Sequence, residues 1–368
     1  WGGNRTELHE RYANSMLALN ASTGKLVWNF QTTHHDLWDM DVPSQPTLTD
    51  IKDKSGKMVP AIYVLTKTGN AFVLDRRTGA AIVPITEKPV PQTVKRGPQT
   101  KGERYSATQP FSDFDLAPKE KLTDKQMWGA TMFDQLMCRV SFHKLNYDGI
   151  YTPPSENGTL VFPGNLGVFE WGGMSVNPDR QIAVMNPIGL PFVSRLIPAD
   201  PNRPKTAKGA GTEAGVQPMY GVPYGVEISA FLSPFGLPCK QPAWGFVAGV
   251  DLNTHEVAWK RRIGTIRDSL PGIQLPPFKM GVPMLGGSIS TAGNVMFVGG
   301  TQDNYIRAIN VTNGDELWKG RLPAGGQATP MTYEANGKQY VVIMAGGHGS
   351  FGTKMGDALV AYALPDAK

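Results

Sequence analysis

The chain has 368 residues, of which 36 are Lys or Arg and 31 are Asp or Glu, giving a formal net charge of +5. Charged residues make up 18%, below the roughly 25% of an average soluble domain, while 40% are hydrophobic and 9% aromatic. This composition supports a folded core and excludes a disordered chain. The sequence contains no run of about 18 apolar residues, so it predicts no membrane-spanning helix.

The basic residues are scattered along the sequence. The densest cluster, Lys260-Arg261-Arg262, has no interleaved aromatic side chains, so we expect no nucleic-acid partner. The mild positive balance favours an anionic cofactor or a membrane surface as partner.

Four segments share one pattern of a strand, an Asn or Asp, a polar turn and a second strand. They are residues 16–30, 71–85, 247–261 and 306–320, and three of them carry Trp at the same offset: Trp28, Trp259 and Trp318. The turns mostly end in Gly, which supplies a left-handed residue, and the flanking runs alternate like half-buried strands. The pattern predicts repeated hairpins, in which the tryptophans serve as packing residues.

Residues 288–321 add two further short strands to the fourth hairpin. Four antiparallel strands in about 45 residues is the period of a propeller blade, so the sequence predicts an all-β propeller. We expect one domain over residues 1–368, with insertions at about 87–157 and 198–242. Helical character is predicted only at about 124–136.

The loop after the first Trp repeat concentrates ionisable side chains. Within eight residues it contains His34, His35, Asp36, Asp39 and Asp41. Three interpretations stay open from the residues alone: a zinc or manganese cluster, a general base in a partly desolvated pocket, and a solvated acidic turn.

Two cysteines, Cys138 and Cys239, lie far apart in the sequence. They form either one disulfide or two buried thiols, and their spacing fits no metal site.

Long blocks of the sequence resemble one family. HHDLWDMD (34–41) and TKTGNAFVLDRR (66–77) are similar to the active-site segments of the membrane-bound PQQ-dependent (quinoprotein) glucose dehydrogenases, where PQQ is pyrroloquinoline quinone. Further similar blocks lie at residues 125–140, 151–173, 231–245, 322–333 and 345–357. The resemblance implies the C-terminal portion of an eight-bladed propeller, with about four to five blades in this chain joined by tryptophan-docking repeats.

The resemblance also implies roles for individual residues. Asp39 corresponds to the catalytic base, which takes the substrate hydroxyl proton. Lys67 corresponds to the cation that contacts the quinone oxygens, although taken alone it reads as an exposed hairpin lysine. Asn186, otherwise an Asn-Pro turn, corresponds to an amide that binds the PQQ ring system.

Other positions have supporting roles by the same resemblance. Leu285 and Gly286, with Gly287, correspond to a backbone segment near the cofactor edge. His34, His35 and Asp36 are expected to orient Asp39 and not to ligate a metal.

The family binds Ca²⁺ or Mg²⁺ beside PQQ, and we expect its main ligand upstream of Trp1. Membrane-anchoring helices and further blades are expected there as well. The implied reaction is oxidation of an aldose, with D-glucose as the leading substrate, and electrons pass to ubiquinone. The implied location is the periplasmic face of the bacterial inner membrane.

Quinate, shikimate or another polyol is the alternative substrate. The present chain alone is expected to be inactive, because its last strands lose the partner that closes a propeller. Two rival classes are a non-catalytic propeller scaffold and a metal hydrolase that uses His34, His35, Asp36 and Asp39.

Overall fold

A computed structural model shows a chain composed mainly of β-strands. The structure describes residues 1–53, 55–199, 215–219, 221–269, 274–300 and 302–365. The helices are α1 (Glu7–Tyr12) and α2 (Met132–Lys144), and 3₁₀ turns occupy Asp124–Gln126 and Gly349–Phe351. No helix among these residues is both long and apolar enough to cross a membrane.

The strands alternate with short turns along the chain. In chain order they are β1 (Ser15–Leu19), β2 (Leu26–Gln31), β3 (Thr47–Lys52), β4 (Met58–Leu65), β5 (Ala71–Asp75), β6 (Ile85–Pro89), β7 (Thr108–Ser112), β8 (Thr159–Val161), β9 (Met174–Asn177), β10 (Ile182–Met185), β11 (Phe192–Pro198), β12 (Gly215–Pro218), β13 (Tyr224–Ala230), β14 (Phe246–Asp251), β15 (Val257–Arg262), β16 (Ser288–Ser290), β17 (Val295–Val298), β18 (Tyr305–Asn310), β19 (Glu316–Arg321), β20 (Met331–Ala335), β21 (Lys338–Ala345) and β22 (Ala358–Ala363). The predicted all-β class is therefore confirmed.

The chain divides into two compact units. The first unit comprises Trp1–Pro43, Ala61–Val168 and Gly189–Pro242, and the second comprises Ser44–Pro60, Phe169–Ile188 and Ala243–Lys368. The predicted single domain with insertions at about 87–157 and 198–242 stays a prediction. Residues 200–214 of the second insertion lie outside the described residues.

The first unit contains three antiparallel pairings, β1–β2, β4–β5 and β6–β7. It also contains a four-stranded sheet with the order β12-β13-β11-β8. The β4–β5 hairpin is buried: Ile62, Val64, Phe72 and Leu74 form its core, together with partly buried residues such as Trp28 and Phe30.

The second unit contains the sheet β15-β14-β10-β9, the consecutive meander β16-β17-β18-β19 and the sheet β20-β21-β22. In the last of these, β21 is hydrogen-bonded on both sides, by β20 and by β22. β22 lies at the edge of this sheet, with β21 as its hydrogen-bonded neighbour. The expectation that the last strands lose the partner that closes a propeller stays a prediction.

The three Trp hairpins share one register. Trp28, Trp259 and Trp318 lie opposite Ala18, Gly249 and Ala308, and in each hairpin the register shifts at the following residue. The small partner is required at Gly249, since an added Cβ would lie 2.2 Å from Trp259 Nε1. The sequence repeat therefore encodes a repeated bulged hairpin.

Two of these tryptophans pack on the turn of the next repeat. The Trp28 indole donates to Arg76 O at 3.2 Å, and a Cβ on Gly79 would lie 2.8 Å from its ring. In the second unit the Trp259 indole donates to Val311 O at 2.8 Å, and a Cβ on Gly314 would lie 2.4 Å from its ring. Each glycine thus leaves room for the tryptophan of the preceding repeat.

Helix α2 begins eight residues later than the helix predicted at about 124–136. The prediction is confirmed for the 3₁₀ turn at 124–126 and for the start of α2 at 132–136. It is wrong between them, because Met127 forms a bridge with Lys240 and Trp128 N donates to Cys239 O. These contacts hold the chain extended until Thr131, whose side chain caps the helix by accepting from Asp134 N.

Cys138 on α2 forms a disulfide with Cys239, and both residues are fully buried. The choice between a disulfide and two thiols is thereby resolved.

Candidate active site

A buried carboxylate within the loop at residues 33–41 holds the loop backbone in place. Asp36 accepts hydrogen bonds from Trp38 N (2.9 Å), Met40 N (2.8 Å) and Asn14 Nδ2 (2.8 Å). Burial raises the pKa of Asp36, against these hydrogen bonds. The buried side chains of Trp38 and Met40 anchor the loop on either side of Asp39.

Asp39 projects from this anchored loop in a left-handed conformation, with φ of 67°. Such a conformation is uncommon for a residue with a Cβ and often marks a functional position. The Asp39 side chain is 56% exposed. The loop therefore presents one carboxylate while its neighbours hold the backbone.

Lys67 lies in the tight turn between β4 and β5, and its side chain is only 10% exposed. The interpretation of Lys67 as an exposed hairpin lysine is therefore wrong. Lys67 O accepts from Val168 N at 2.8 Å, and a Cβ on Gly167 would lie 2.4 Å from Lys67 Cγ. The stem of Lys67 thus packs directly on a glycine that cannot be enlarged without displacing it.

The Lys67 ammonium forms ion pairs with two carboxylates. Its Nζ lies 2.7 Å from Asp39 Oδ2 and 2.8 Å from Asp41 Oδ1. Burial opposes the charged form of Lys67, but the two aspartates outweigh burial and raise its pKa. Lys67 therefore stays protonated at neutral pH.

Burial gives Asp39 the properties of a base near neutral pH. Desolvation by the surrounding protein raises the pKa of Asp39 to about 6, with Lys67 acting in the opposite direction and the Asp41 charge adding to the rise. Solvent screening weakens these effects, since the side chain is partly exposed. A carboxylate with such a pKa is ionised at pH 7 and still basic enough to accept a proton.

The two histidines of the loop bond to other elements. His35 Nδ1 lies 2.7 Å from Glu10 Oε1 and His35 Nε2 lies 3.1 Å from Glu103 Oε1. The hydrogen bond with Glu103 raises the pKa of His35, against its burial. His34 Nε2 lies 3.0 Å from Glu87 Oε1. Both histidines therefore tie the loop to the rest of the first unit.

Four candidate metal ligands, His34, His35, Asp36 and Asp39, thus contact four different sets of partners. Among the described residues no group of three or more His, Cys, Asp or Glu side chains converges on one point. The geometry gives no support to the metal-hydrolase interpretation.

The remaining predicted cofactor contacts lie in the second unit. Asn186 follows β10 directly, is 8% exposed and donates from Nδ2 to Met284 O (2.9 Å) and Gly286 O (3.1 Å). The structure therefore brings Asn186, Leu285 and Gly286 together. Because both Asn186 N–H groups are used, its Oδ1 is the atom that remains for a ligand.

Sequence reasoning missed Gln327, whose backbone packs beside this segment: a Cβ on Gly286 would lie 2.2 Å from Gln327 O. Gln327 is only 4% exposed, and among the described residues neither its Oε1 nor its Nε2 has a hydrogen-bond partner. An unpaired buried amide is costly and calls for an explanation. The residue lies in the LPAGGQATPMTY block, which was the only available signal.

The groups of each unit, taken separately, match part of the chemistry of PQQ, a planar quinone that carries carboxylates, carbonyl oxygens and a ring N–H. The first unit supplies a buried cation beside a base, and the second unit supplies an amide oxygen and an amide with both donor and acceptor unpaired. Each unit by itself thus contains polar groups of a kind that binds such a cofactor.

Comparison with known proteins identifies the class. The model of the PQQ glucose/ethanol/alcohol dehydrogenase β-propeller family matches residues 1–341, so the chain belongs to that family. A europium-containing methanol dehydrogenase shares the fold, with a TM-score of 0.59 at 19% identity over 96% of this chain and 53% of that one.

Among named relatives, the chain is 87% identical to quinoprotein glucose dehydrogenase A of Acinetobacter calcoaceticus over its full length and 46% of that protein. It is 66% identical to quinoprotein glucose dehydrogenase of Escherichia coli K12, again over all of this chain and 46% of the relative. The quinate/shikimate dehydrogenase of Acinetobacter baylyi is 42% identical over 99% of this chain and 45% of its own length. The chain thus spans about half the length of these relatives.

Proposed function

We propose that this chain is part of a PQQ-dependent dehydrogenase that oxidises D-glucose to glucono-1,5-lactone. The observation that carries the proposal is the Asp39–Lys67–Asp41 cluster, which combines a base of suitable pKa with a buried cation. Glucose is favoured over quinate because the glucose dehydrogenase relatives are 87% and 66% identical, against 42% for the quinate/shikimate enzyme.

In this proposal Asp39 accepts the proton of the C1 hydroxyl group of the sugar. PQQ, when bound, supplies the two-electron acceptor for the hydride that leaves C1. The pair of aspartates holds Lys67 protonated and directed, so its ammonium donates to the developing negative charge without reorganising. His35 and Asp36 keep the Asp39 loop in place through Glu10, Glu103 and the loop amides.

The second unit contributes amide groups in this proposal. Asn186 Oδ1 accepts from, and Gln327 bonds to, polar atoms of the cofactor, while Leu285 and Gly286 line its edge. Ca²⁺ or Mg²⁺ is the proposed companion ion. Its identity stays a prediction, as does its main ligand upstream of this chain.

The eight-bladed architecture and the cellular location are also proposals. The sheets would be blades of an eight-bladed propeller, about four to five of them in this chain, and this part alone would be inactive. Ubiquinone is the proposed electron acceptor, and helices outside this chain are the proposed membrane anchor. The Cys138–Cys239 disulfide supports a periplasmic location, because disulfides persist in oxidising compartments.

The test uses the full-length gene product prepared without cofactor. Dye-coupled oxidation of glucose and of quinate is measured before and after addition of PQQ with Ca²⁺ or Mg²⁺, and PQQ binding is followed by tryptophan fluorescence. The proposal predicts glucose oxidation only after reconstitution. It also predicts at least tenfold weaker PQQ binding in Lys67→Met and unchanged binding in the exposed control Lys57→Met.

Reconstituted oxidation of quinate but not glucose would keep the chemistry and change the substrate. If PQQ does not bind and no polyol is oxidised, the enzyme proposal fails and the scaffold propeller becomes the better account.

A further inference from the structure

Helix α2 exposes a continuous apolar stripe to solvent. Its five members are exposed by between 38% and 81%, and they are Met132, Phe133, Leu136, Met137 and Val140. At about 100° per residue these positions cover about 140° of the helix surface. Contiguous exposed apolar surface of this kind marks a contact site.

The stripe lies on the side of α2 that faces away from the protein core. The opposite side of α2 is already packed, with Asp134 and Cys138 buried and Phe142 contacting the first unit's cluster around Met127, Leu160 and Phe162. The Cys138–Cys239 disulfide fixes this side to the protein. The helix is therefore held in one rotation, with its apolar stripe outward.

The charges on the helix surface have one sign. Arg139 and Lys144 are exposed. On a helical projection Arg139 lies beside one edge of the stripe, and Lys144 lies on the same face as the stripe, one turn beyond Val140. The single acidic residue of α2, Asp134, is buried and accepts from Ala130 N. His143 faces Asp124 at 3.6 Å on the neighbouring 3₁₀ turn.

An apolar stripe with one cation at its edge and another at its C-terminal end, and with no exposed acid on the helix, matches the surface of an anionic bilayer. The apolar side chains enter the boundary between headgroups and acyl chains, and the cations contact lipid phosphates. The net charge of +5 acts in the same direction.

We propose that α2 is a membrane-surface helix, which rests on an anionic lipid bilayer with Phe133, Leu136 and Met137 inserted. This contact uses none of the residues of the candidate active site, so it does not depend on the dehydrogenase chemistry. Only its consequence rests on the proposed function: the domain would lie against the membrane that contains the quinone acceptor.

The test places an environment-sensitive fluorophore on Met137→Cys in the full-length gene product. The two cysteines of this chain are joined in the disulfide, so they do not compete for the label. The control label is at Met355→Cys, a site 61% exposed in the second unit. Both proteins are reconstituted in phosphatidylcholine vesicles with and without phosphatidylglycerol, using lipids with brominated acyl chains as quenchers.

We expect brominated lipid to quench the Met137→Cys label, more strongly with phosphatidylglycerol, and not the control. Each of Arg139→Gln and Lys144→Gln should lower the ratio of docked to undocked label about fivefold, from about 1 kcal/mol per cation at the surface. The pair Phe133→Ser and Leu136→Ser should abolish quenching and leave the unfolding temperature unchanged, because both side chains are exposed.

Two results would overturn the proposal. If iodide reaches the Met137→Cys label equally well with and without vesicles, α2 is a free surface. If the label is shielded from iodide even in detergent and brominated lipid has no effect, another part of the full-length protein covers the helix.

Discussion

The contact between Trp259 and Gly314 predicts a specific loss of stability in Gly314→Ala. The added Cβ would lie 2.4 Å from the Trp259 ring, and Gly314 has φ of +76°. The left-handed conformation costs about 1–2 kcal/mol for a residue with a Cβ. Overpacking against a buried ring adds about 1–3 kcal/mol, for a total of about 2–5 kcal/mol.

Gly337→Ala is the matched control. Gly337 lies in the same unit with φ of +73°, but an added Cβ would meet nothing within 4 Å. Its cost is therefore limited to the backbone, about 1–2 kcal/mol. The difference between the two variants isolates the contact between one repeat and the next.

The assay is the free energy of unfolding from urea titration of the full-length gene product, followed by tryptophan fluorescence. Both variants are also made in a Trp259→Ala background, where the cost of Gly314→Ala should fall to that of Gly337→Ala. Equal losses for the two glycines, or an unchanged cost of Gly314→Ala without the ring, would refute the docking argument.

Three further predictions concern charge and the disulfide. Asp41→Asn should move the acid limb of the kcat/KM pH profile, which Asp39 sets near pH 6, to lower pH. The substitution removes a negative charge beside Asp39 and leaves Asp39 as the carboxylate paired with Lys67. An acid limb that stays in place would contradict this prediction. Replacing both Cys138 and Cys239 by Ala should cost about 2–5 kcal/mol in urea unfolding, since the bond closes a long loop; an unchanged midpoint would contradict it. The pKa of His35 is raised in the folded state. The contribution of His35 to the free energy of unfolding is therefore complete below about pH 6.5 and is lost as pH rises through the folded pKa. The destabilisation caused by His35→Gln should shrink at alkaline pH, and a destabilisation that grows would be inconsistent with the two glutamate contacts.

Local features of the fold were predictable from the sequence. The repeat around Trp28, Trp259 and Trp318 predicts the hairpins because turn chemistry and strand alternation act within about 15 residues. The third repeat keeps this turn although His255 replaces the usual glycine, with φ of 60°. A short polar turn thus tolerates the substitution that the pattern alone does not anticipate.

Long-range pairing was not predictable. β10 pairs with β14 across some 60 intervening residues that include β11, β12 and β13, and nothing local specifies that choice. The start of α2 depends likewise on contacts of residues 127 and 128 with residues 239 and 240.

For the candidate site, the density of ionisable residues identified the loop at 34–41, but only the resemblance to the dehydrogenase family linked this loop to Lys67. The structure adds the joint contact of Asp39 and Asp41 with Lys67. The partners of His35, Glu10 and Glu103, carry no motif and lie on separate segments of the chain. Gln327 was missed because its signal is an unpaired buried amide, which only coordinates reveal.

The most direct test of the proposed base is Asp39→Asn in the full-length gene product, reconstituted with PQQ and Ca²⁺ or Mg²⁺. The amide keeps the size of the side chain and one acceptor oxygen for Lys67 but cannot accept the proton, so kcat for glucose should fall by about 10²–10⁴-fold while PQQ affinity changes only a few-fold. Asp53→Asn, at a carboxylate in an exposed turn, serves as the control and should keep full activity. An Asp39→Asn enzyme with PQQ bound and kcat within a few-fold of the parent would contradict the assignment of Asp39 as the base.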